Sequence, residues 1–585
     1  MNDYLDPTQP IERRIEDLLG RMTVAEKAGL MFHPTTEPGG DSLSAEDALR
    51  GAQLNVVERG ISHFNVLGGG DSAGVASWHN TLQELAATTR LGIPITLSSD
   101  PRHGFRSNPF TGQSLESLSR WPETTGIAAI AGTESAREYA DIIRREFLAM
   151  GIRVYLGPMA DIFTEPRWSR GFGTFGEDPA RVAELTVAFI EGLRGGATLG
   201  PDSVAAVVKH FPGGGPQLRG DDAHDSRYPE QVYPGGVQEL HIEPFEKAFA
   251  AGATQVMTYY GKPVGTEWDE VGFAFNAPVV RDILRKRLHF DGIVVTDWNL
   301  LESERMGDLT FGPNGWGLEH LSPVKRARIA IDVGVDQFGG DRNPALIEEL
   351  VDSGAVTEER IDQSARRLLR EKFQLGLFEN RQVEIDRART TCGSPSFSEK
   401  GTAAQSASLV LLSDEAGVLP AGSTVYVEGI QDSSGLTTTP NVGDAEAIIV
   451  RLEAPFEPGR GSVVAEYFHG GTLAFPQATL DRLRNYATQA PLYVSVFLER
   501  PAILGPLLEL GATVLGEFGA SDSVVINALE GRTPLSGTLP FDIPSSMEAV
   551  EKSREDVPFD TEEPLFRAGF GIARDANAPH MAAQA

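Results

Sequence analysis

Short apolar runs alternate with amphipathic helical stretches through the first 300 residues, and this alternation constrains the fold more than any other feature. The runs are His63-Phe-Asn-Val-Leu, Ile95-Thr-Leu-Ser-Ser-Asp100, Val154-Tyr-Leu-Gly-Pro-Met-Ala-Asp161, Val204-Ala-Ala-Val-Val-Lys209-His210, Gln255-Val-Met-Thr-Tyr-Tyr260 and Ile293-Val-Val-Thr-Asp297. A short run that is apolar throughout reads as a strand covered on both faces, as parallel sheets require. Helix boundaries lie between the runs. Thr23-Val-Ala-Glu26 is a capping box, and Asp178-Pro179 places an N-cap before Pro at the first helical position of a helix that stops at Gly195-Gly196. Alternating strand and helix predicts parallel βαβ units. Six such units, with a Gly-rich candidate at Asp336-Gln-Phe-Gly-Gly, predict an α/β fold with a (β/α)8-like (TIM) barrel.

The Arg- and Leu-rich helix from Ile361 to Leu375 closes that domain, assigned to residues 1–385. Residues 386–404, with Gly393, Pro395 and several Ser, read as a polar linker. A second α/β pattern occupies 405–585: Ser408-Leu-Val-Leu-Leu, Val425-Tyr-Val, Ala447-Ile-Ile-Val-Arg-Leu, Leu492-Tyr-Val-Ser-Val-Phe-Leu and Ala512-Thr-Val-Leu. It is too short for a second barrel and predicts an open, mainly parallel sheet with helices on both faces.

Composition excludes several function classes. The net charge of −31, from 51 basic and 82 acidic side chains, opposes a phosphate-backbone partner, so no nucleic acid is expected. No apolar run reaches the length of a membrane span. The single cysteine, Cys392, permits no internal disulfide and sits in a stretch that reads as linker, an unpromising place for a nucleophile. The N-terminus, Met-Asn-Asp-Tyr-Leu-Asp-Pro, lacks a basic segment and an apolar segment, so the expected location is cytoplasmic.

In a parallel barrel, chemistry gathers at the C-terminal strand ends. Those ends supply Asp100 with Arg102 and His103, Asp161 with Arg167, Lys209-His210, Tyr260 and Asp297-Trp298. Charged residues are seldom fully buried unless paired or used. For Asp297 alone, capping the next helix is the plain alternative; for Lys209-His210 it is a buried strand-end ion pair. Gly213-Gly-Gly215 lacks the Lys-Ser/Thr of a phosphate loop, no His-Glu-x-x-His or Cys pattern calls for a metal, and no Gly-x-Ser-x-Gly elbow serves acyl transfer. No cofactor is required. Carboxylate chemistry on a hydroxyl-rich substrate remains, and glycoside hydrolysis is its main candidate.

Five segments carry a resemblance to glycoside hydrolase family 3: Asp100-Pro-Arg-His-Gly104, Glu165-Pro-Arg-Trp-Ser-Arg170 through Phe175-Gly-Glu-Asp-Pro179, Lys209-His-Phe-Pro-Gly213, Met257-Thr-Tyr-Tyr260 and Val294-Val-Thr-Asp-Trp298. Pro534-Leu-Ser-Gly-Thr-Leu-Pro-Phe541 and Pro564-Leu-Phe566 look like the family's closing motifs. The resemblance implies a (β/α) barrel followed by an α/β sandwich domain, and a retaining, exo-acting β-glycosidase, first of all a β-glucosidase. By that likeness Asp297 is the nucleophile, Asp100, Arg167, Lys209, His210 and Tyr260 hold the terminal sugar, and Trp298 stacks beside it. The partner is then a small glycoside or oligosaccharide; oligomeric state is left open. Arg170 and Glu177-Asp178 read as structural.

For the general acid/base the resemblance offers two candidates. Val450-Arg-Leu-Glu453-Ala-Pro-Phe456-Glu457 resembles the family's second-domain acid/base stretch, although Leu452 and Phe456 stand where Gly and Tyr are usual. Glu453 is the first candidate, with Glu457 behind it. Asp222-Ala-His224 resembles the Asp-Ser-His dyad of the family's N-acetylglucosaminidases, but Gly214 replaces a His typical of that branch. A His paired with Asp is a competent acid near neutrality. The alternatives are thus a β-N-acetylhexosaminidase or phosphorylase built on the dyad, a β-xylosidase, or a carbohydrate-binding protein without turnover. Gly173, where the family often carries Glu, alters the loop beside the pocket. The Gly- and aromatic-rich stretch Met306 to Trp316 is either an aglycone wall or a surface loop.

Overall fold

The computed structural model describes residues 2–39, 43–68, 70–107, 114–306, 309–458 and 467–576. Seven strands follow the predicted pattern: His63–Val66, Thr96–Ser99, Ile152–Tyr155, Ala205–Phe211, Gln255–Thr258, Ile293–Trp298 and Gln337–Gly339. Each pairs in parallel with the next in the chain. The closing strand escapes the periodicity argument because Pro34 splits it. Phe32–His33 pairs with Gln337–Gly339 on one side, and Thr35–Thr36 pairs with His63–Val66 on the other. Counted together, these two pieces make the eighth strand, and the sheet closes into a (β/α)8 barrel. Proline is tolerated there because its carbonyl still accepts a bond from the Asn65 amide at 2.9 Å.

Helices cover the barrel where the caps predict. Thr23 and Glu26 form the reciprocal capping box of Val24–Leu30. Asp178 accepts from the Ala180 and Arg181 amides at the start of Pro179–Arg194, and Gly195 ends that helix in the left-handed conformation (φ 66°). A side chain at such a φ would be strained.

The stretch read as a linker is not extended. It folds as two helices, Ile385–Thr391 and Pro395–Ser408. Polar composition misled here because both helices are amphipathic on one narrow face only: Ala388, Cys392, Ala404 and Gln405 are buried, and Cys392 Sγ lies 3.5 Å from the Glu146 carbonyl. Gln405 bridges the two domains, donating to the Arg120 carbonyl (2.9 Å) and accepting from the Ser521 amide (3.0 Å).

The second domain holds a six-stranded sheet in the order Val410–Asp414, Thr513–Glu517, Leu492–Phe497, Ala447–Glu453, Thr424–Glu428 and Thr437–Thr438. All pairings are parallel except the first, which is antiparallel. The C-terminal segment returns to the barrel. The buried Glu177 carboxylate accepts the Asp542 and Phe559 amides at 2.9 and 2.6 Å, and Asp556 accepts those of Gly235 and Val237 at 2.7 and 3.1 Å. Buried hydrogen bonds to a carboxylate contribute roughly 1.5–3 kcal/mol each. The domains are therefore docked by specific polar clasps, beside an apolar seam where Phe541 meets Phe163 and Phe518.

Candidate active site

The strand Ile293–Trp298 is buried as far as Asp297 and half-buried at Trp298. Asp297 therefore stands where the chain leaves the barrel core. Its Oδ1 accepts the Trp298 amide at 2.9 Å, while Oδ2 is buried with no hydrogen-bond partner among the described residues. An unsatisfied buried carboxylate oxygen is costly unless a ligand or the reaction uses it. The Tyr260 hydroxyl does not wait for a sugar. It accepts from the Trp298 amide and donates to the Trp298 carbonyl, both at 2.8 Å, and Asn314 Nδ2 donates to the same carbonyl at 3.2 Å. Tyr260 thus fixes the peptide that aims Asp297. Trp298 lies against His33, ring centroids 5.6 Å apart, and so closes the top of the barrel core. Removing the hydroxyl in Tyr260→Phe should lower kcat/KM by on the order of tenfold with nearly unchanged thermal stability, since the loss is one of aim. Steady-state kinetics beside a melting curve checks it.

Two strand ends, separated in the sheet by the strand Ile152–Tyr155, supply a matched pair of charges. Lys209 Nζ donates to Asp100 Oδ1 at 2.8 Å, and Asn65 Nδ2 reaches Asp100 Oδ2 at 3.2 Å. His210 turns the other way. Its Nδ1 meets Asp161 Oδ2 at 2.9 Å, leaving Nε2 buried with no hydrogen-bond partner among the described residues. Burial holds the imidazole well below its usual pKa, so Nδ1–H donates to Asp161 and Nε2 is an acceptor. Asp161, which burial pushes up to about 6, also accepts the Gly214 amide at 2.5 Å. A β-carbon on Gly214 would fall 3.0 Å from Trp168 and 3.2 Å from Asp161, so a side chain at this position would have to push those neighbours aside by a few tenths of an ångström.

The two arginines of the Glu165–Arg170 segment exchange the roles expected of them. Arg167 is claimed by Glu165, with two contacts of 2.8 Å from its guanidinium, and its carbonyl accepts Arg500 Nη1 at 2.9 Å. It belongs to the domain junction. Arg170 is buried, its Nη1 has no hydrogen-bond partner among the described residues, and Phe468 of the second domain lies under its guanidinium at 5.7 Å. Burial opposes its charge, but Tyr259, Asp222, Asp297 and Asp161 outweigh that and raise its pKa. Sequence reasoning missed Arg170 because two arginines three residues apart are equivalent until the turn between them is known. At Gly173 a β-carbon would lie 2.6 Å from Met159 Sδ, so a side chain there would require the flexible Met159 side chain to shift.

One cavity opens among Asp100, Lys209, Arg106, Arg170, Phe172 and Phe468. Phe468 is the second domain's contribution, and on it His224 stacks at 4.8 Å between ring centroids with 14° between planes. His224 also meets the Tyr260 ring at 4.5 Å, and its Nδ1 lies 2.5 Å from Asp222 Oδ1. Burial alone would raise Asp222; the charge and hydrogen bonds of His224 overturn that and hold it well below the usual carboxylate range. Ser169 completes the group, donating to Asp222 Oδ2 at 3.1 Å. Trp316, in the stretch read as either an aglycone wall or a surface loop, is buried, and its indole donates to the Ala223 carbonyl at 2.9 Å. It supports the His224 loop.

Glu453 ends the strand Ala447–Glu453 at the exposed rim of the second domain. The protein mass around it and the Glu499 carboxylate push its pKa up, against Arg106. Glu457 is exposed farther along, its Oε1 accepting from the Thr472 amide at 3.3 Å. The strand-end Asp297 carboxylate and the part-buried His224–Asp222 pair are thus linked through the Tyr260 ring and hydroxyl, while Glu453 stands at the end of a second-domain strand with Arg106 and Glu499 acting on its charge.

A family model described as "Glycosyl hydrolase family 3 N terminal domain" matches residues 67–371. Beta-glucosidase C of Emericella nidulans is 41% identical over 584 residues, covering 98% of this chain and 94% of that protein. A periplasmic beta-glucosidase/beta-xylosidase of Dickeya chrysanthemi is 36% identical over 604 residues, covering 98% and 91%. Among solved structures, a beta-glucosidase from Listeria innocua in complex with glucose superposes with a TM-score of 0.76 at 21% identity, covering 96% of this chain and 83% of that one.

Proposed function

Because this chain belongs to glycosyl hydrolase family 3 and is a glycoside hydrolase, we propose that it is a retaining, exo-acting β-glucosidase that uses Asp297 as its nucleophile. The observation that carries this reading is the buried Asp297 Oδ2, which has no hydrogen-bond partner among the described residues, at a strand end where Oδ1 is tied to the backbone. The 41% identity to a beta-glucosidase over nearly the whole chain supports glucose as the sugar. In the first step Oδ2 attacks the anomeric carbon as the glycosidic C–O bond breaks, and protonated Glu453 gives its proton to the leaving oxygen. In the second step Glu453, now a carboxylate, takes a proton from water. The resulting oxygen bonds to the anomeric carbon, Asp297 leaves, and Glu453 is protonated again. Two inversions return the β-anomer.

Asp100, Lys209, His210 Nε2 and Arg170 are the polar groups placed to grip the hydroxyls of a terminal sugar. The charges of Lys209 and Arg170 also favour the ionised nucleophile. A second reading assigns the proton to His224, since it packs directly on Tyr260 with Asp222 held ionised beneath it. The test is a panel of 4-nitrophenyl β-glucoside, β-xyloside and β-N-acetylglucosaminide, with the first-formed product followed by NMR. Glucoside should be turned over fastest and release β-glucose first. Release of α-glucose, or preference for the N-acetylglucosaminide, overturns the proposal.

A further inference from the structure

Three parallel strands of the second sheet end together above the barrel. Register places Glu453 opposite Phe497, and Phe497 opposite Glu517. Their carboxyl ends meet barrel loops: the Glu123 amide donates to the Phe518 carbonyl at 2.7 Å, and Arg106 Nη2 to the Tyr467 carbonyl at 3.3 Å. Just beyond Phe497 the chain buries a third carboxylate, Glu499, only 2% exposed. His469 Nδ1 holds Glu499 Oε1 at 2.5 Å, and Arg106 Nη1 lies 3.1 Å from Oε2. His469 is itself clamped, its ring stacked on Phe456 at 3.7 Å with 2° between planes. Phe456 lies three residues past Glu453, so one loop carries both the acid and the platform that fixes its neighbour.

Resting on the assignment of Glu453 as the acid, we propose that Glu499 is its positioning residue: through His469 and Phe456 it anchors the loop that carries Glu453, and it sets a buried carboxylate at the same end of the sheet. The groups facing Glu453 are Glu499, Arg106, Glu517 and Arg451. Glu517 is neutralised by a two-pronged contact with Arg451, both distances 2.6 Å, and Arg451 reaches Asp522 as well. That pair is closed. Glu499 faces His469, Arg106 and Arg500 as well as Glu123, and Arg106 is the cation it shares with Glu453. The two charges therefore act on Glu453 in opposite senses, Glu499 favouring the protonated form and Arg106 the ionised one.

This opposition gives the test its sign. The basic limb of kcat/KM against pH reports the group that must be protonated in the free enzyme. Glu499→Gln, which keeps the shape and the His469 contact, should move that limb to lower pH by about one unit, and Arg106→Gln should move it to higher pH. At a pH on the wild-type limb, Glu499→Gln should lose about tenfold in kcat/KM on an alkyl glucoside, and little on 2,4-dinitrophenyl glucoside, whose leaving group needs no proton. A merely structural disturbance would not move the two limbs in opposite directions. If azide rescues Glu453→Ala but the limb stays put in Glu499→Gln, this inference falls alone. If azide rescues His224→Ala instead, both the inference and the assignment of Glu453 fall.

Discussion

Asp297→Ala will abolish turnover of aryl β-glucosides, lowering kcat by on the order of 10⁴-fold or more, because no other group in the site replaces a covalent nucleophile. The geometry predicts how the loss will look. The Tyr260 clamp on the Trp298 peptide does not depend on the Asp297 side chain, so the shortened variant should fold with its sugar-gripping residues in place. Substrate should still bind, with kcat falling far more than KM rises. Removing the carboxylate opens space beside the anomeric carbon. Azide should then attack an activated aryl glucoside once and release the α-glucosyl azide. Near-normal turnover in a folded Asp297→Ala protein removes this residue from the chemistry. Steady-state kinetics and NMR of the azide product decide it.

The second large effect separates the two acids. Glu453→Ala should lower kcat on alkyl glucosides by about 10²–10⁴-fold and spare substrates with highly activated leaving groups. Without its base the glucosyl-enzyme accumulates, and azide should rescue turnover by forming the β-glucosyl azide after a second inversion. His224→Ala is expected to behave differently. Its ring fills the space between Phe468 and Tyr260, so truncation should loosen the pocket and raise KM without azide rescue. The opposite pattern assigns the proton to His224. Physical grounds favour Glu453: its pKa is raised while it remains reachable from solvent. An acid that must also activate water needs that access. His224 is enclosed by two rings and already engaged with Asp222.

Much of the barrel was legible because parallel strands must be apolar on both faces, and six such runs are hard to mistake. The strand at Phe32–His33 and Thr35–Thr36 was not, since two short pieces around a proline carry no periodicity. The segment 386–404 read as linker for the converse reason: a helix such as Pro395–Ser408, with a narrow buried stripe, shows a polar composition. Within the site, strand-end residues such as Asp100, Lys209, His210 and Asp297 could be placed by topology. Arg167 and Arg170 could not, because the turn that gives one to Glu165 and the other to the pocket is set by contacts with Glu165, Phe468 and Arg500.

The sequence by itself determined the barrel, the strand that ends in Asp297 and the presence of a second α/β domain, all consequences of local periodicity and of where polar residues interrupt it. Only the tertiary structure decided what each polar group does there. Tyr260 became a clamp on the Trp298 peptide, Arg170 rather than Arg167 lines the cavity, and Phe468 and Arg106 join it from distant segments. The physical reason is that a hydrogen bond or an ion pair depends on distances of a few ångströms between residues hundreds of positions apart, and no pattern along the chain encodes them.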